Sequence, residues 1–320
     1  MKRRSFAALA LAATPFATFA QGGFPTKPVR FIVPYAAGGL PDTVARIVAQ
    51  KLTERLGQPV VVDNKPGGNG VVAYNTLMAS PNDSHNFIVS DGSMLSITPQ
   101  INKSARYAVD QDLMAVSLMA RSPLFLVAHP KTGVRTLKEF LAKVKEQPGA
   151  YTYGSSGIGS THHLTMEALK ADLDLDIRHV PFRGSGQSVP ALVGGQIDFL
   201  FAALPSMLGF VKNDQVRLIA SNSPKRSPQA PDVAAIAEVL PGFDFSVSVG
   251  VIGRAGTSAE AIRKLSDEIA LAVKQPDVID RFKNGGIEPI GAGPDAYRKE
   301  IERENQAMAK AGKYADLKAE

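Results

Sequence analysis

The chain has 320 residues, 36 Lys and Arg against 30 Asp and Glu, and no cysteine. Without cysteine there can be no disulfide and no metal–thiolate chemistry, and a chain of this length buries enough core to fold without either. Three of the cations behind the net charge of +6 lie at the N-terminus, which leaves 33 basic against 30 acidic residues, a mild +3 with no basic cluster. Nucleic acid is therefore not an expected partner.

Lys2, Arg3 and Arg4 precede an apolar, alanine-rich run from Phe6 to Phe19, and Thr18-Phe19-Ala20 places small residues at cleavage positions. This is the pattern of a signal peptide over residues 1–20, cleaved after Ala20. The run is short and interrupted by Thr14-Pro15, whereas a spanning helix needs about 20 apolar residues. Arg3-Arg4 also fits a twin-arginine signal, so both export routes stay open. The expectation is an exported periplasmic protein of about two domains.

Strand-like and helix-period runs then alternate. Val29 to Val33 is a short apolar strand; Val44, Ile47, Val48, Leu52 and Leu56 follow at helical spacing, with Gly57 as a stop. Val60 to Val62, Phe87 to Val89 and Leu124 to Ala128 read as further strands. Thr136 and Glu139 form a capping box for a helix that ends near Gln147-Pro148-Gly149. Tyr151 to Tyr153, Ile177 to Phe182 and Ile197 to Phe201 read as strands, separated by helices over Thr161 to Lys170 and Ser188 to Val193. The stretch from Ser223 to Gly242, with Pro224, Pro228, Pro231 and Pro241, breaks the rhythm and reads as a connector. Phe245 to Ile252 is strand-like, Thr257 and Glu260 suggest a second capping box, and helices near 259–274, 277–284 and 294–310 finish the chain. Such alternation predicts mainly parallel sheets covered by helices.

Three glycine-rich turns each join an expected strand to an expected helix. The first runs from Tyr35 through Gly38, Gly39 and Pro41 to Asp42. There the N–H groups of Gly38, Gly39 and Leu40 are expected to be free at a helix start, where the dipole favours a carboxylate or phosphate. The second runs from Gly154 to Thr161 and offers the hydroxyls of Ser155, Ser156, Ser160 and Thr161; in the third, Arg183 to Ser188, a cation sits beside the turn. Glycine in a tight turn needs no ligand to explain it, and three such turns in one chain, two of them hydroxyl-lined or basic, leave plain turn chemistry and an anion site both open. No dinucleotide fingerprint, P-loop lysine, nucleophile elbow or H-E-x-x-H motif occurs, so no cofactor or metal is expected. His163 and Glu167 share one helix face without such a motif, Asp42 is expected to complement its helix N-terminus, and Asp198 to be structural.

The opening turn resembles, together with VVVDNKPGGNG (60–70), YTYGSSGIGSTHHL (151–164) and HVPFRGSGQSVPALVGGQIDFLF (179–201), the Bug/TctC family. These are the periplasmic receptors of tripartite tricarboxylate transporters. The likeness covers nearly the whole chain after the leader, with four motifs in the family's order. It implies an α/β, two-lobed Venus-flytrap fold of the type II periplasmic binding protein kind, each lobe a central sheet flanked by helices. Residues 24–122 and 244–320 would form lobe 1 and residues 123–243 lobe 2. The implied partners are a small organic carboxylate and the permease subunits of such a transporter, or a membrane sensor; the implied state is a monomer without reaction, metal or cofactor. Carried over by position, Tyr35, Ala37, Gly38, Gly39 and Asp42 belong to one jaw. Ser155, Ser156, Ser160 and Thr161 belong to the other, with Phe182, Arg183 and Gly184 as the aromatic–basic–glycine turn, and Ser90 and Ser93 line the pocket. The chain departs from the family at Ala36-Ala37, at 81–86, at 253–257, at Ser248, where an aromatic is usual, and at Ala202-Ala203, where a polar or acidic residue is usual. The last departure favours a carboxylate lacking an amine. The competing class is an exported hydrolase using Ser156 or Ser160 with a histidine.

Overall fold

A computed structural model describes residues 23–101 and 108–315; the expected signal peptide lies outside the described residues. Twelve strands occur in the described residues: β1 (Val29–Val33), β2 (Val60–Asn64), β3 (Asn86–Ser90), β4 (Leu113–Ser122), β5 (Leu124–Ala128), β6 (Thr152–Ser155), β7 (Arg178–Pro181), β8 (Phe199–Ala203), β9 (Arg217–Ser221), β10 (Ala234–Ala235), β11 (Val247–Arg254) and β12 (Glu288–Ala292). They form two six-stranded sheets, ordered β12-β4-β11-β3-β1-β2 and β10-β9-β5-β8-β6-β7. Each sheet has a parallel flank, β3-β1-β2 or β8-β6-β7, and antiparallel pairings where the chain crosses over. The crossings lie between β4 and β5, at Pro123, and between β10 and β11. The fold is thus α/β with two lobes, each a sheet flanked by helices.

Local chemistry explains most of these elements. β5 and β8 are buried at every position because helices cover both sheet faces, so they are continuous apolar runs. The helix Leu40–Leu56 places Pro41 in its first turn and ends on Gly57, whose φ of 65° closes the left-handed C-cap. Thr136 and Glu139 form the expected capping box on the helix Leu137–Glu146. The second expected box does not form. Ser258, not Thr257, caps the helix Ala259–Ala272 by accepting from the Ala261 N–H (3.1 Å), which puts Glu260 one position early. Glu260 instead accepts from the Phe24 N–H, and Thr257 donates to the Arg254 carbonyl.

The third glycine turn also differs from expectation, because its helix begins at Ser185 and runs to Val193, with Gly184 as N-cap. The last helix, Pro294–Tyr314, returns from the first sheet's lobe and packs on the helix Thr161–Leu173 of the other. No helix among the described residues is long and apolar enough to cross a membrane.

Candidate functional site

The turn after β1 and the turn after β7 meet between the lobes. The Ala36 N–H donates to the Arg183 carbonyl across the gap (3.3 Å). A Cβ on Gly184 would lie 3.0 Å from the Ala36 nitrogen, and one on Gly186 only 2.3 Å from the Ala37 carbonyl oxygen. Only glycines allow this approach, so the lobes stand closed on each other at these residues.

On the first lobe, Gly38 (φ 87°) does not offer a free N–H. That donor goes to Asp42 Oδ2 (2.9 Å), which corrects the expectation for this glycine. The cause is local: Asp42 sits on the third helical residue and folds back over its own turn. Although burial would raise its pKa, hydrogen bonds from Arg46, the Gly38 N–H and Asn64 hold it below the usual carboxylate value. Asp42 therefore shapes the loop and is fully engaged in doing so. The Tyr35 hydroxyl points back into lobe 1, donating to Asp91 Oδ1 (2.9 Å) beside Asn69 Oδ1 and Ser93 Oγ (3.2 Å each). The Ser93 N–H and hydroxyl also donate to Asp91. Ser90 Oγ is buried and has no hydrogen-bond partner among the described residues.

On the second lobe, Ser160 is the N-cap of the helix Thr161–Leu173, accepting from the His163 N–H (3.3 Å), and Thr161 is its first residue. Ser155 Oγ lies 2.7 Å from His179 Nε2 and accepts from the Gly157 N–H. Phe182 is half-buried, with its ring 3.3 Å from where a Gly154 Cβ would be. Arg183 meets the first lobe through its backbone carbonyl; the residue is exposed and its N–H donates to Gln187. Ser156 faces inward, its Oγ 3.4 Å from that of Ser185, which is 3.4 Å from His162 Nε2.

The helices beginning at Leu40, Thr161 and Ser185 thus converge around Ser185, whose Cβ also lies 3.9 Å from where a Gly39 Cβ would be. Three helix N-termini therefore lie close together, and their dipoles favour an anion there, although the Gly38 and His163 N–H groups are already taken by Asp42 and Ser160. Asp91, Asn69, Ser185 and Gly186 were not singled out from the sequence, and His162 was weighed there only as a base beside Ser160 and Thr161, not as a contact for a solute. Ser185 and Gly186 stood inside a recognised turn, and Asp91 stood between two recognised serines.

Among the described residues neither Ser156 nor Ser160, the two serines of the hydrolase reading, pairs with an imidazole, although Ser155 lies against His179 and Ser185 against His162; Ser156 Oγ meets only Ser185. Ser160 Oγ is committed to its cap, and His162 Nδ1 has no partner to orient the ring, whereas a working base is held by a third group. His163 and Glu167 are also engaged elsewhere: Nδ1 accepts from the Gly159 N–H, and the carboxylate takes Tyr153 and Lys170. Asp198 accepts from the Thr152 N–H and hydroxyl and pairs with Lys131, away from the gap.

A family model described as the tripartite tricarboxylate transporter family receptor, TctC, matches residues 44–312. The chain belongs to this family. A family relative, a UPF0065 protein in the tcbD-tcbE intergenic region of a Pseudomonas species, is 33% identical over 310 residues, covering 94% of this chain and 92% of that one. Two solved structures share the fold closely. A Rhodopseudomonas palustris protein solved with adipate is 27% identical, with a TM-score of 0.88 over 92% of this chain and 98% of that one. MatC of the same organism, solved with bound malate, is 27% identical, with a TM-score of 0.84 over 90% and 99%.

Proposed function

We propose that this TctC-family chain is a periplasmic solute-binding protein that captures a small organic carboxylate between its lobes and carries out no reaction. The observation that carries this is the meeting of three helix N-termini at Ser185, with the Ala36–Arg183 contact closing the gap around them. Helix N-termini hold anions without supplying a nucleophile, and the similar proteins named above hold adipate and malate. Ala202 and Ala203 are wholly buried in β8 and offer no polar side-chain atom, which favours a carboxylate without an amine. Tyr35, Ala37, Gly38 and Asp42 build one jaw and Ser155, Ser160 and Phe182 shape the other, while Gly39, Ser156, Thr161 and Gly184 lie nearest the solute. A solute that contacts both lobes stabilises the closed form. Delivery would be to the membrane permease of a tripartite tricarboxylate transporter, with the leader over residues 1–20 directing export.

The test is a thermal-shift panel of malate, adipate, benzoate and an uncharged sugar. At a concentration one hundred times Kd, a bound solute stabilises the chain by about 2.7 kcal/mol, so at least one carboxylate is expected to raise Tm by several degrees. No rise with any of the carboxylates, whether or not the sugar gives one, would contradict the proposal.

A further inference from the structure

His162 sits on the first turn of the helix Thr161–Leu173, is 5% exposed, and has its Nδ1 buried without a hydrogen-bond partner among the described residues. A buried polar atom left unpaired carries a free-energy cost that proteins normally avoid. The ring's other nitrogen lies against Ser185, the residue around which both jaws meet. The neighbouring His163 is explained differently: its ring stacks on His179 (4.0 Å between centres) and its Nδ1 accepts from Gly159. His162 thus reaches Ser185 at the gap through Nε2 and leaves a buried Nδ1 unpaired, which a turn of the ring would bring to the gap.

We propose, building on the carboxylate capture above, that His162 is the solute's side-chain contact on the second lobe. Its Nδ1 hydrogen-bonds the incoming carboxylate, and the ring takes up one proton from solvent as the lobes close. The chemistry balances as neutral imidazole, one proton and a carboxylate becoming an imidazolium–carboxylate pair.

The surroundings agree with this. Burial pushes the His162 pKa down to about 4, with no charged neighbour contributing, so the empty site is neutral at pH 7. The charged groups of the adjoining elements are committed elsewhere. Asp91 is locked to Tyr35 and Ser93, Asp42 to Gly38 and Arg46, and Glu167 to Lys170. Arg303 of the last helix pairs with Glu300, and Arg183 is exposed. Glu304, by contrast, accepts from the Ser248 N–H through Oε1, has an Oε2 unpaired among the described residues, and has its pKa pushed up to about 8 by burial, so the His162→Gln comparison is what separates its protons from those of the imidazole. A carboxylate arriving beside an otherwise uncharged imidazole raises that imidazole's pKa. Binding therefore strengthens as pH falls towards about 4, by up to tenfold per unit wherever the bound ring is protonated and the empty one is not.

The test is calorimetric titration at pH 6 in two buffers of different ionisation enthalpy, using whichever of malate, adipate or benzoate gives the largest thermal shift. Close to one proton is expected to be taken up per solute by the natural chain and none by His162→Gln, which should also bind at least tenfold more weakly. Zero uptake by the natural chain, or equal affinity and uptake in the variant, overturns the inference while leaving carboxylate capture intact. If none of the carboxylates shifts Tm, both fall together. If the variant does not fold, nitrogen-15 NMR of the natural chain's histidines replaces it: His162 must gain a proton on saturation, and an unchanged ring overturns the inference.

Discussion

Asp91 and Tyr35 hold the first jaw from beneath. Burial raises the Asp91 pKa, and the hydrogen bonds from Ser93 and Tyr35 work against that shift. The pair anchors the residue that starts the Ala36–Gly39 turn, so the shape of the turn depends on a carboxylate 56 positions away. Tyr35→Phe keeps the ring but leaves Asp91 short of a donor, and is expected to cost about 1–3 kcal/mol, read as a lower urea midpoint with an unchanged m-value. At this scale the sequence was only partly legible. Its glycines and hydroxyls marked the turns, because those residue types carry their conformational meaning locally. The fate of the Gly38 N–H and the partner of Tyr35 depend on where side chains point, and no local pattern shows that.

At the scale of elements, a buried glutamate ties the last helix to β11 and packs it on the loop after β3. Glu304 is 3% exposed, its Oε1 accepts from the Ser248 N–H (2.9 Å), and its Oε2 fills the space where a Gly92 Cβ would lie. Burial pushes its pKa up to about 8, helped by Glu300 and Asp91. The folded value lies above the ordinary one, so this group's contribution to stability is complete below about pH 4.5 and is lost as pH rises to about 8. Glu304→Gln removes that dependence. The variant is expected to gain on the natural chain by up to about 1.4 kcal/mol per pH unit across this window, seen as a Tm difference that grows from pH 5 to pH 8.

The same scale shows which elements a sequence can reveal. β1, β3, β5 and β8 were legible as apolar runs, and the helix at Leu137 by its cap. β4, β9, β12 and the helix Val71–Ala79 were not. β4 reads LMAVSLMARS, full of good helix formers, and is a strand because β11 and β12, far along the chain, pair with it.

For the whole molecule, the closed arrangement depends on Gly186. It lies outside the left-handed region, so an alanine there is unstrained while the lobes are apart, yet its Cβ meets the Ala37 carbonyl oxygen when they close. Gly186→Ala should therefore leave the Tm of the empty chain within about a degree and weaken carboxylate binding at least tenfold. The two-lobed architecture was legible from the alternation of elements and the order of four motifs. That three helix N-termini point at one serine was not, since this depends on how two separately folded sheets face each other.

Small-angle X-ray scattering with and without saturating carboxylate tests capture by closure most directly. The natural chain is predicted to become more compact when the carboxylate is added, and Gly186→Ala to keep its open dimensions. A natural chain that binds the carboxylate with no change in radius of gyration, or a variant that compacts equally, would contradict the account.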